Sequence, residues 1–401
     1  MYGNASRVNP PLGRHHRPLK RRVWPRVLAG IAITVAIAAG ACAAAWSWWM
    51  WQHHWRSIDI TVNGSSVSMR VDTTLGALMA GNDDFGAVPG RLLAVTGDVL
   101  DQHGGEPVST AVNGHEIAAR DRETTAVPEH ADVTVESGKD TTEAHDVSRE
   151  PVPHGSNIVI AGGAIQRVRQ HGRDGVREIW VGKKSGKKAD KGVTEPPVDL
   201  VVEPLNPRPA GRKVIALTFD DGPGPQSPAI LDILRDKGVH ATFFNLGSQA
   251  AAFPAVEQRA LAEGHQIANH SNTHPDLTKL DKAAMRAEIT GGFAGIKAAS
   301  GVDTRILRAP YGAFGTKQWT DASDLIDMNV LWDIDTLDWK RPGPNAIHDA
   351  VLSNAHNGAI VLMHDGGGDR SQDVKALPRI IDDLRAQGYE FVTIDQLMQM
   401  A

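Results

Sequence analysis

Two adjacent carboxylates, Asp220 and Asp221, close the apolar run Ile215-Ala-Leu-Thr-Phe219 and precede Gly222-Pro223. Neighbouring side chains at a strand end point in different directions, so one carboxylate can ligate a cation while the other stays free to accept a proton. An ordinary Asp-Gly turn is the bland alternative for this dipeptide taken alone. After Gln266-Ile-Ala268 comes Asn269-His270-Ser-Asn-Thr-His274-Pro275. Two imidazoles four residues apart meet on one face if the segment makes a helical turn. With Asp221 they make an Asp-His-His set, three ligands and an open position for water, which suits a catalytic metal site rather than a closed structural one.

Three more polar clusters follow apolar runs. Arg308-Ala-Pro310-Tyr311-Gly312 comes after Arg305-Ile-Leu307, and a guanidinium reaching a site with two aspartates would pair with the one not bound to metal, holding it ionised and oriented. Asp335-Thr-Leu-Asp338-Trp339 comes after Leu331-Trp-Asp-Ile334, and His364-Asp365-Gly366 after Ile360-Val-Leu-Met363. A histidine beside a carboxylate can be kept protonated by it and serve as general acid. Singly, each has a structural explanation: a surface arginine before a proline turn, a core tryptophan, a satisfied buried histidine. Five such clusters at five run ends point to one site.

The elements that must position these residues begin at Lys213. Runs at 214–219, 242–246, 266–268, 305–307, 330–334, 359–363 and 390–394 read as strands, with helical patterns between most of them. Pro228 after Ser227 starts one helix, which stops at Gly238; Asp281 caps another that extends toward Gly301; Leu377, Ile380, Ile381 and Leu384 have helical spacing before Gly388. Seven strands alternating with helices predict an α/β fold, a closed or nearly closed parallel (β/α) barrel, with an open doubly wound sheet as the alternative. Both architectures build their sites at the carboxyl ends of the strands.

The rest of the chain divides by composition. Residues 1–26 hold seven basic residues and no acidic one, while the 401-residue chain has net charge −5. Residues 27–51 carry no charge and, at ~1.5 Å per residue, form a helix of about 37 Å, enough to cross a bilayer. Trp24, Trp46, Trp48, Trp49, Trp51 and Trp55 bracket the run as interfacial aromatics do, and the basic flank is expected to stay in the cytoplasm. A cleaved signal peptide is the alternative, and a lipoprotein signal at Cys42, the only cysteine, is a weaker one. Residues 57–180 read as a β-rich module with hairpin turns at Asn63-Gly64 and Asn113-Gly114, each followed by a Thr pair, which hints at a repeat. Residues 181–204 are rich in Lys, Gly and Pro and read as a linker, leaving 205–401 as the chemical domain. With a net charge of −5, the chain is not expected to bind nucleic acid. Its oligomeric state is not legible.

In order, Thr218-Phe-Asp-Asp-Gly-Pro223, His270-Ser-Asn-Thr-His274, Arg308-Ala-Pro-Tyr311, Asp335-Thr-Leu-Asp-Trp339 and Leu362-Met-His364 resemble the five motifs of the NodB-homology polysaccharide deacetylases, carbohydrate esterase family 4. The resemblance covers the C-terminal half and departs at no motif position. It implies a distorted (β/α) barrel, a divalent metal, zinc first with cobalt or manganese behind it, bound by Asp221, His270 and His274, and Asp220 as catalytic base. It further implies that His364 is a general acid tuned by Asp338, that Arg308 orients Asp220, and that Trp339 packs against His364. The Tyr311 backbone amide would help hold the oxyanion, with Pro310 beside it in the substrate-binding turn. An anchored deacetylase would face the cell's own wall, so the expected substrate is N-acetylglucosamine in peptidoglycan. Chito-oligosaccharides and O-acetylated polymers such as xylan are the enzymatic alternatives, and a non-catalytic wall-binding scaffold is the rival from another class.

Overall fold

The computed structural model describes residues 24–400, with side chains from residue 28 onward; residues 1–23 of the expected basic tail lie outside them. The chain forms two compact units, one of residues up to 146 with 180–189, the other of 147–179 with 190–401.

The first unit starts with helix Trp24–Met50 and a π-helical turn, Trp51–Trp55. Leu28, Ile31, Ile33, Val35 and Ile37 stand exposed around the helix, which is long and apolar enough to cross a membrane. A five-stranded sheet follows in the order Ser65–Arg70, Ser57–Val62, Asp132–Glu136, Ser109–Val112, His115–Glu116. Strand alternation buries Ile58, Ile60 and Val62 against Leu75, Leu78 and Val133. Asn63-Gly64 and Asn113-Gly114 have φ of 48° and 80°, and 50° and 77°, the pairs of positive values that two-residue hairpins of matching twist require. The two hairpins therefore share one sheet. The first leads into an α-helix, Leu75–Ala80, whose amide of Ala77 donates to the Thr74 hydroxyl, and the second into a single 3-10 turn, Ala119–Asp121, so the likeness stops at the turns.

The second unit is built on an eleven-stranded sheet. In chain order its strands are β1 (Ser156–Ile158), β2 (Ile165–Gln170), β3 (Leu200–Leu205), β4 (Val214–Asp220), β5 (Thr242–Asn245), β6 (Gln266–Asn269), β7 (Ile306–Leu307), β8 (Met328–Val330), β9 (Ile334–Asp335), β10 (Ala359–His364) and β11 (Glu390–Phe391). Their order across the sheet is β1-β3-β2-β8-β7-β6-β5-β4-β10-β9, with β11 beside β4. β4 to β8, β9 and β10 run parallel; β2 turns antiparallel to β8. Among the described residues nothing pairs β9 to β1, so the barrel is distorted and incomplete rather than closed.

Parity along β4 explains both the core and the site. Ile215, Leu217 and Phe219 face out onto helix residues Ile230, Leu231, Leu377 and Ile380. Val214 and Ala216 face in, where they meet Phe244, Ala268, Val330 and Ile360, and Ile394 and Leu397 join the same inner cluster. On the same inward face, Thr218 and Asp220 come next, at the carboxyl end. Burying the apolar rows stabilises the unit by ~25 cal/mol per Å², and the polar residues above them are held by that packing.

Four expectations need correction. The expected strand 330–334 is split between two partners: the Leu331 amide still donates to Ala164 O just before β2 (2.6 Å), whereas the Asp333 amide donates to Ile360 O of β10 (3.0 Å). The last strand ends at Phe391, and Thr393 caps helix Ile394–Gln399 instead. The stretch 181–204 carries strands: Lys188–Glu195 is an exposed ribbon, a setting that tolerates lysine on both faces, while β3 buries Leu200 and Val202. With β1 and β2, residues 147–179 also belong to the second unit, where Gln166 accepts from Trp319 Nε1 (2.9 Å) and Asn329 Nδ2 (3.0 Å).

Candidate active site

Parallel pairing aligns Asp220 of β4 with His364 of β10 and with Phe244 of β5, and each chain leaves its strand at that level. The result is a cleft of about 490 Å³ at the carboxyl end of the barrel, lined by Asp220, Asp221, His270, His274 and His364 among others.

One wall holds the paired aspartates. Arg308, fully buried, reaches across the barrel interior and donates from Nη1 to Asp220 Oδ1 (2.6 Å) and to Thr218 Oγ1 (2.8 Å). Its Nε and Nη2 donate to the carbonyls of Val330 (2.9 Å) and Leu331 (3.1 Å), and its guanidinium lies 4.0 Å over the Phe244 ring. Five anchors fix one orientation of the planar group. Burial pushes the Asp220 carboxyl above the ordinary range, against the opposing pull of Arg308 and His364. Arg308 thus holds Asp220 by a short hydrogen bond, while burial outweighs its charge in setting the direction of the Asp220 shift.

Asp221 takes a positive φ of 68° and turns away from Asp220. Its Oδ1 lies 3.6 Å from His270 Nε2 and 3.4 Å from His274 Nε2, and it is buried with no hydrogen-bond donor. His270 Nδ1–H donates to the Arg308 carbonyl (2.6 Å), which leaves Nε2 as the lone-pair nitrogen. Burial lowers the His270 pKa to about 3, keeping the ring neutral. These three donor atoms, all within 4.8 Å of one another, fit a divalent cation: an orphaned carboxylate oxygen and two neutral imidazoles facing it are what an ion would satisfy. The two histidines do not sit on a helical turn as their spacing suggested. Ser271 and His274 have φ of 73° and 66°, and Glu288 shapes the loop by accepting from Asn272 N (3.1 Å), Thr273 N (2.9 Å) and Thr273 Oγ1 (2.8 Å).

The opposite wall holds His364. Its Nδ1–H donates to Asp338 Oδ1 (2.8 Å), its backbone amide donates to Asp338 Oδ2 (2.8 Å), and Trp339 N adds a third bond to Oδ1 (2.8 Å). For Asp338, burial opposes ionisation but the His364 hydrogen bond and charge outweigh it, so its pKa is lowered. For His364, burial opposes protonation, yet the bond and charge of Asp338, with Asp220 and Asp221 beyond, carry its pKa above the ordinary value. Trp339 is half exposed and lines the cleft with His364 without stacking on its ring. Tyr311, at φ 62° in the short turn Pro310–Gly312, is exposed, and its ring meets the edge of His274 at 4.7 Å between centroids; Pro310 is buried beneath it.

Sequence reasoning missed several contributors. Thr218 anchors Arg308, and its inward parity with Asp220 is a signal that could have found it. Trp332 and Arg370 line the cleft from segments that carry no strand-end signature. Asp365 is fully buried and bonded to the Ser227 hydroxyl, and burial raises its pKa to about 7. Ser227 thus supports the loop behind the site, accepting from Gly224 N (2.7 Å) as well.

Known proteins share the sequence of this part of the chain. The sequence model of the family described as "Polysaccharide deacetylase" matches residues 208–326. A peptidoglycan-N-acetylglucosamine deacetylase of Bacillus cereus is 37% identical over 194 residues, 48% of this chain and 91% of the relative. A chitooligosaccharide deacetylase of Sinorhizobium fredii is 36% identical over 198 residues, 46% of this chain and 92% of the relative. The solved peptidoglycan deacetylase PdaC from Bacillus subtilis is 38% identical, with a TM-score of 0.45 over 47% of this chain and 92% of that one. Matched over nine-tenths of the Bacillus cereus and Sinorhizobium fredii relatives, this chain belongs to the NodB-homology polysaccharide deacetylases of carbohydrate esterase family 4.

Proposed function

We propose that this enzyme removes the acetyl group from N-acetylglucosamine residues of peptidoglycan, using a divalent metal, zinc first, held by Asp221, His270 and His274. The observation that carries the reading is the buried, donor-less Asp221 Oδ1 facing two imidazole nitrogens between a proton-accepting wall and a proton-donating one. When bound, such an ion polarises the acetyl carbonyl and acidifies water.

The chain's own residues then divide the proton work. Asp220, oriented by Arg308 and made more basic by burial, takes the proton of the attacking water. His364, kept protonated by Asp338, gives its proton to the departing sugar nitrogen. The Tyr311 amide is the backbone donor available to the oxyanion, and the exposed rings of Tyr311 and Trp339 are placed to pack against a sugar face. The substrate assignment is supported by the named activity of the Bacillus cereus relative and by the exposed apolar helix, which we read as an anchor that leaves residues beyond 56 outside the cell, facing the wall.

Incubating the zinc-loaded protein with purified peptidoglycan and with chito-oligosaccharides, and weighing the products by mass spectrometry, tests this. Loss of one acetyl mass per glucosamine in wall fragments, abolished by chelation and restored by zinc or cobalt, is the expected result. Deacetylation of chito-oligosaccharides alone would reassign the substrate, and turnover by metal-free protein would remove the metal from the reaction.

A further inference from the structure

The cleft lining contains a cation that the mechanism above does not use. Among the described residues two arginines are buried, Arg308 and Arg370. Arg308 is paired with Asp220 (2.6 Å). Arg370, only 4% exposed, lines the cleft and makes no ion pair among the described residues. The acidic neighbours are engaged elsewhere: Asp369 pairs with Arg341 (2.5 Å), and Asp365 is bonded to the Ser227 hydroxyl. A buried charge without a counter-ion is costly, so an unpaired guanidinium in a cleft points to an anion that a ligand brings there. The hydrogen bonds show which edge of the group is open. Nε donates to Gly366 O (2.6 Å) and Nη2 to Gly367 O (3.1 Å), which occupies one side of the planar group and fixes its orientation. Nη1 makes no hydrogen bond among the described residues and is not enclosed by protein. With the second N–H of Nη2 it forms a parallel fork, the geometry that meets both oxygens of a carboxylate.

We propose that Arg370 is a carboxylate receptor in the cleft, its open Nη fork holding a carboxylate that arrives with the substrate or leaves the reaction. No other side chain of the lining offers such a group a free cation. Arg370 is the one arginine or lysine among the described lining residues, and the charge of His364 is committed to Asp338. Asp220 and Asp221 line the same cleft and repel an anion, so a carboxylate is directed to the Arg370 fork and away from the paired aspartates. The proposal rests on the deacetylase reading for its two sources. One is acetate, which hydrolysis of an N-acetyl group releases as an anion at neutral pH. The other is a carboxylate carried by the glycan beside the reacting sugar, the lactyl or stem-peptide carboxylate of peptidoglycan. Both present the same planar pair of oxygens, and a chito-oligosaccharide presents none.

The test compares the full zinc-loaded chain with Arg370→Gln, which removes both charge and fork, and with Arg370→Lys, which keeps the charge alone. In the first arm carbon-13 acetate is titrated and its binding read from NMR line broadening, without turnover. In the second, kcat/KM is measured on a peptidoglycan fragment with free carboxylates and on a chito-oligosaccharide of equal length. If the fork holds acetate, Arg370→Gln should bind it about tenfold more weakly. If it holds a carboxylate of the polymer, the ratio of the two kcat/KM values should fall about tenfold, through KM on the peptidoglycan fragment. Arg370→Lys should lose about threefold in the same arm, since an ammonium is a point charge without the planar fork. Acetate affinity and kcat/KM ratio both equal to the native values would overturn the proposal. Should Arg370→Gln fail to fold, native values in both arms for Arg370→Lys would overturn it equally. If neither glycan is deacetylated, the proposed function has failed, and the acetate titration then decides the role of Arg370 by itself.

Discussion

The two walls of the cleft each present a buried carboxylate to a cation, yet they tune it in opposite directions. Asp220 faces Arg308 and is raised; Asp338 faces His364 and is lowered. In both, burial is the largest influence and opposes ionisation. What differs is the number of donors aimed at the oxygens. Asp338 receives three N–H bonds, whereas Asp220 receives one guanidinium Nη1 that is shared with Thr218. A neighbouring cation alone does not fix a carboxylate as an anion; donors satisfying its lone pairs do. The poorly satisfied carboxylate is the one suited to accept a proton, and the well satisfied one holds its partner's proton in place.

The largest expected effect breaks the accepting wall. Asp220→Asn should lower kcat by about 10³–10⁴-fold, the upper range for a positioned base, while bound zinc measured by atomic absorption stays at one equivalent. Loss of metal in this variant, with Asp221→Asn retaining it, would reverse the two roles. On the donating wall, Asp338→Asn presents an amide N–H₂ where three N–H groups now converge, and kcat should fall about 10²-fold. The sign of the accompanying pH change is fixed. His364 must be protonated to act, so activity persists above the ordinary histidine value and is lost as pH rises through its raised pKa. Without the Asp338 charge that alkaline limb should move to lower pH in a kcat profile; an unmoved limb would detach Asp338 from the donor.

A milder change probes orientation on the accepting wall. Arg308→Lys keeps a charge but not the planar fork that meets Asp220, Thr218 and two carbonyls at once. Activity should fall about tenfold. The weakened pull lets the Asp220 pKa rise further, so the acid limb of kcat/KM should shift to higher pH. An unshifted acid limb would mean that Arg308 only packs.

Much of this was legible in the sequence because the catalytic side chains stand at strand ends, where local pattern and chemistry coincide. The parity that carries Val214 and Ala216 inward also carries Asp220 inward, and the run 359–363 announces His364 in the same way. What was not legible depends on contacts far along the chain. Glu288 shapes the His270–His274 loop from a helix whose own pattern reads as amphipathic, and Asp365 meets Ser227 across 138 positions. β1 and β2 fell in the stretch read as the β-rich module and β3 in the lysine- and proline-rich stretch read as a linker, because all three join the sheet beyond β8 through pairings that no local pattern announces. The hairpins of the first unit were readable since Asn-Gly has one dominant use between alternating residues. His274 and Tyr311 take the same positive φ with no such signal.

The smallest expected effect tests burial by itself. Glu257 is buried outside the cleft, with one donor, Asn245 Nδ2 at 2.7 Å, and burial raises its pKa from 4.5 to about 7. It is a carboxyl with a single donor and no cation, so it isolates the influence that wins at Asp220. For an acid raised on folding, the native state binds more protons than the unfolded chain between the two values. Stability should therefore be highest below pH 4.5 as far as this group is concerned, and decline as pH rises through about 7. Above that range the buried anion costs on the order of 3 kcal/mol. Glu257→Gln cannot ionise and can still accept from Asn245. It should leave turnover unchanged, match the native protein in calorimetric melting at pH 4.5, and melt at a higher temperature than the native protein at pH 8. Equal melting of the two at pH 8 would show that the interior around Glu257 accommodates a charge, and that the raised Asp220 must then owe its basicity to something other than burial.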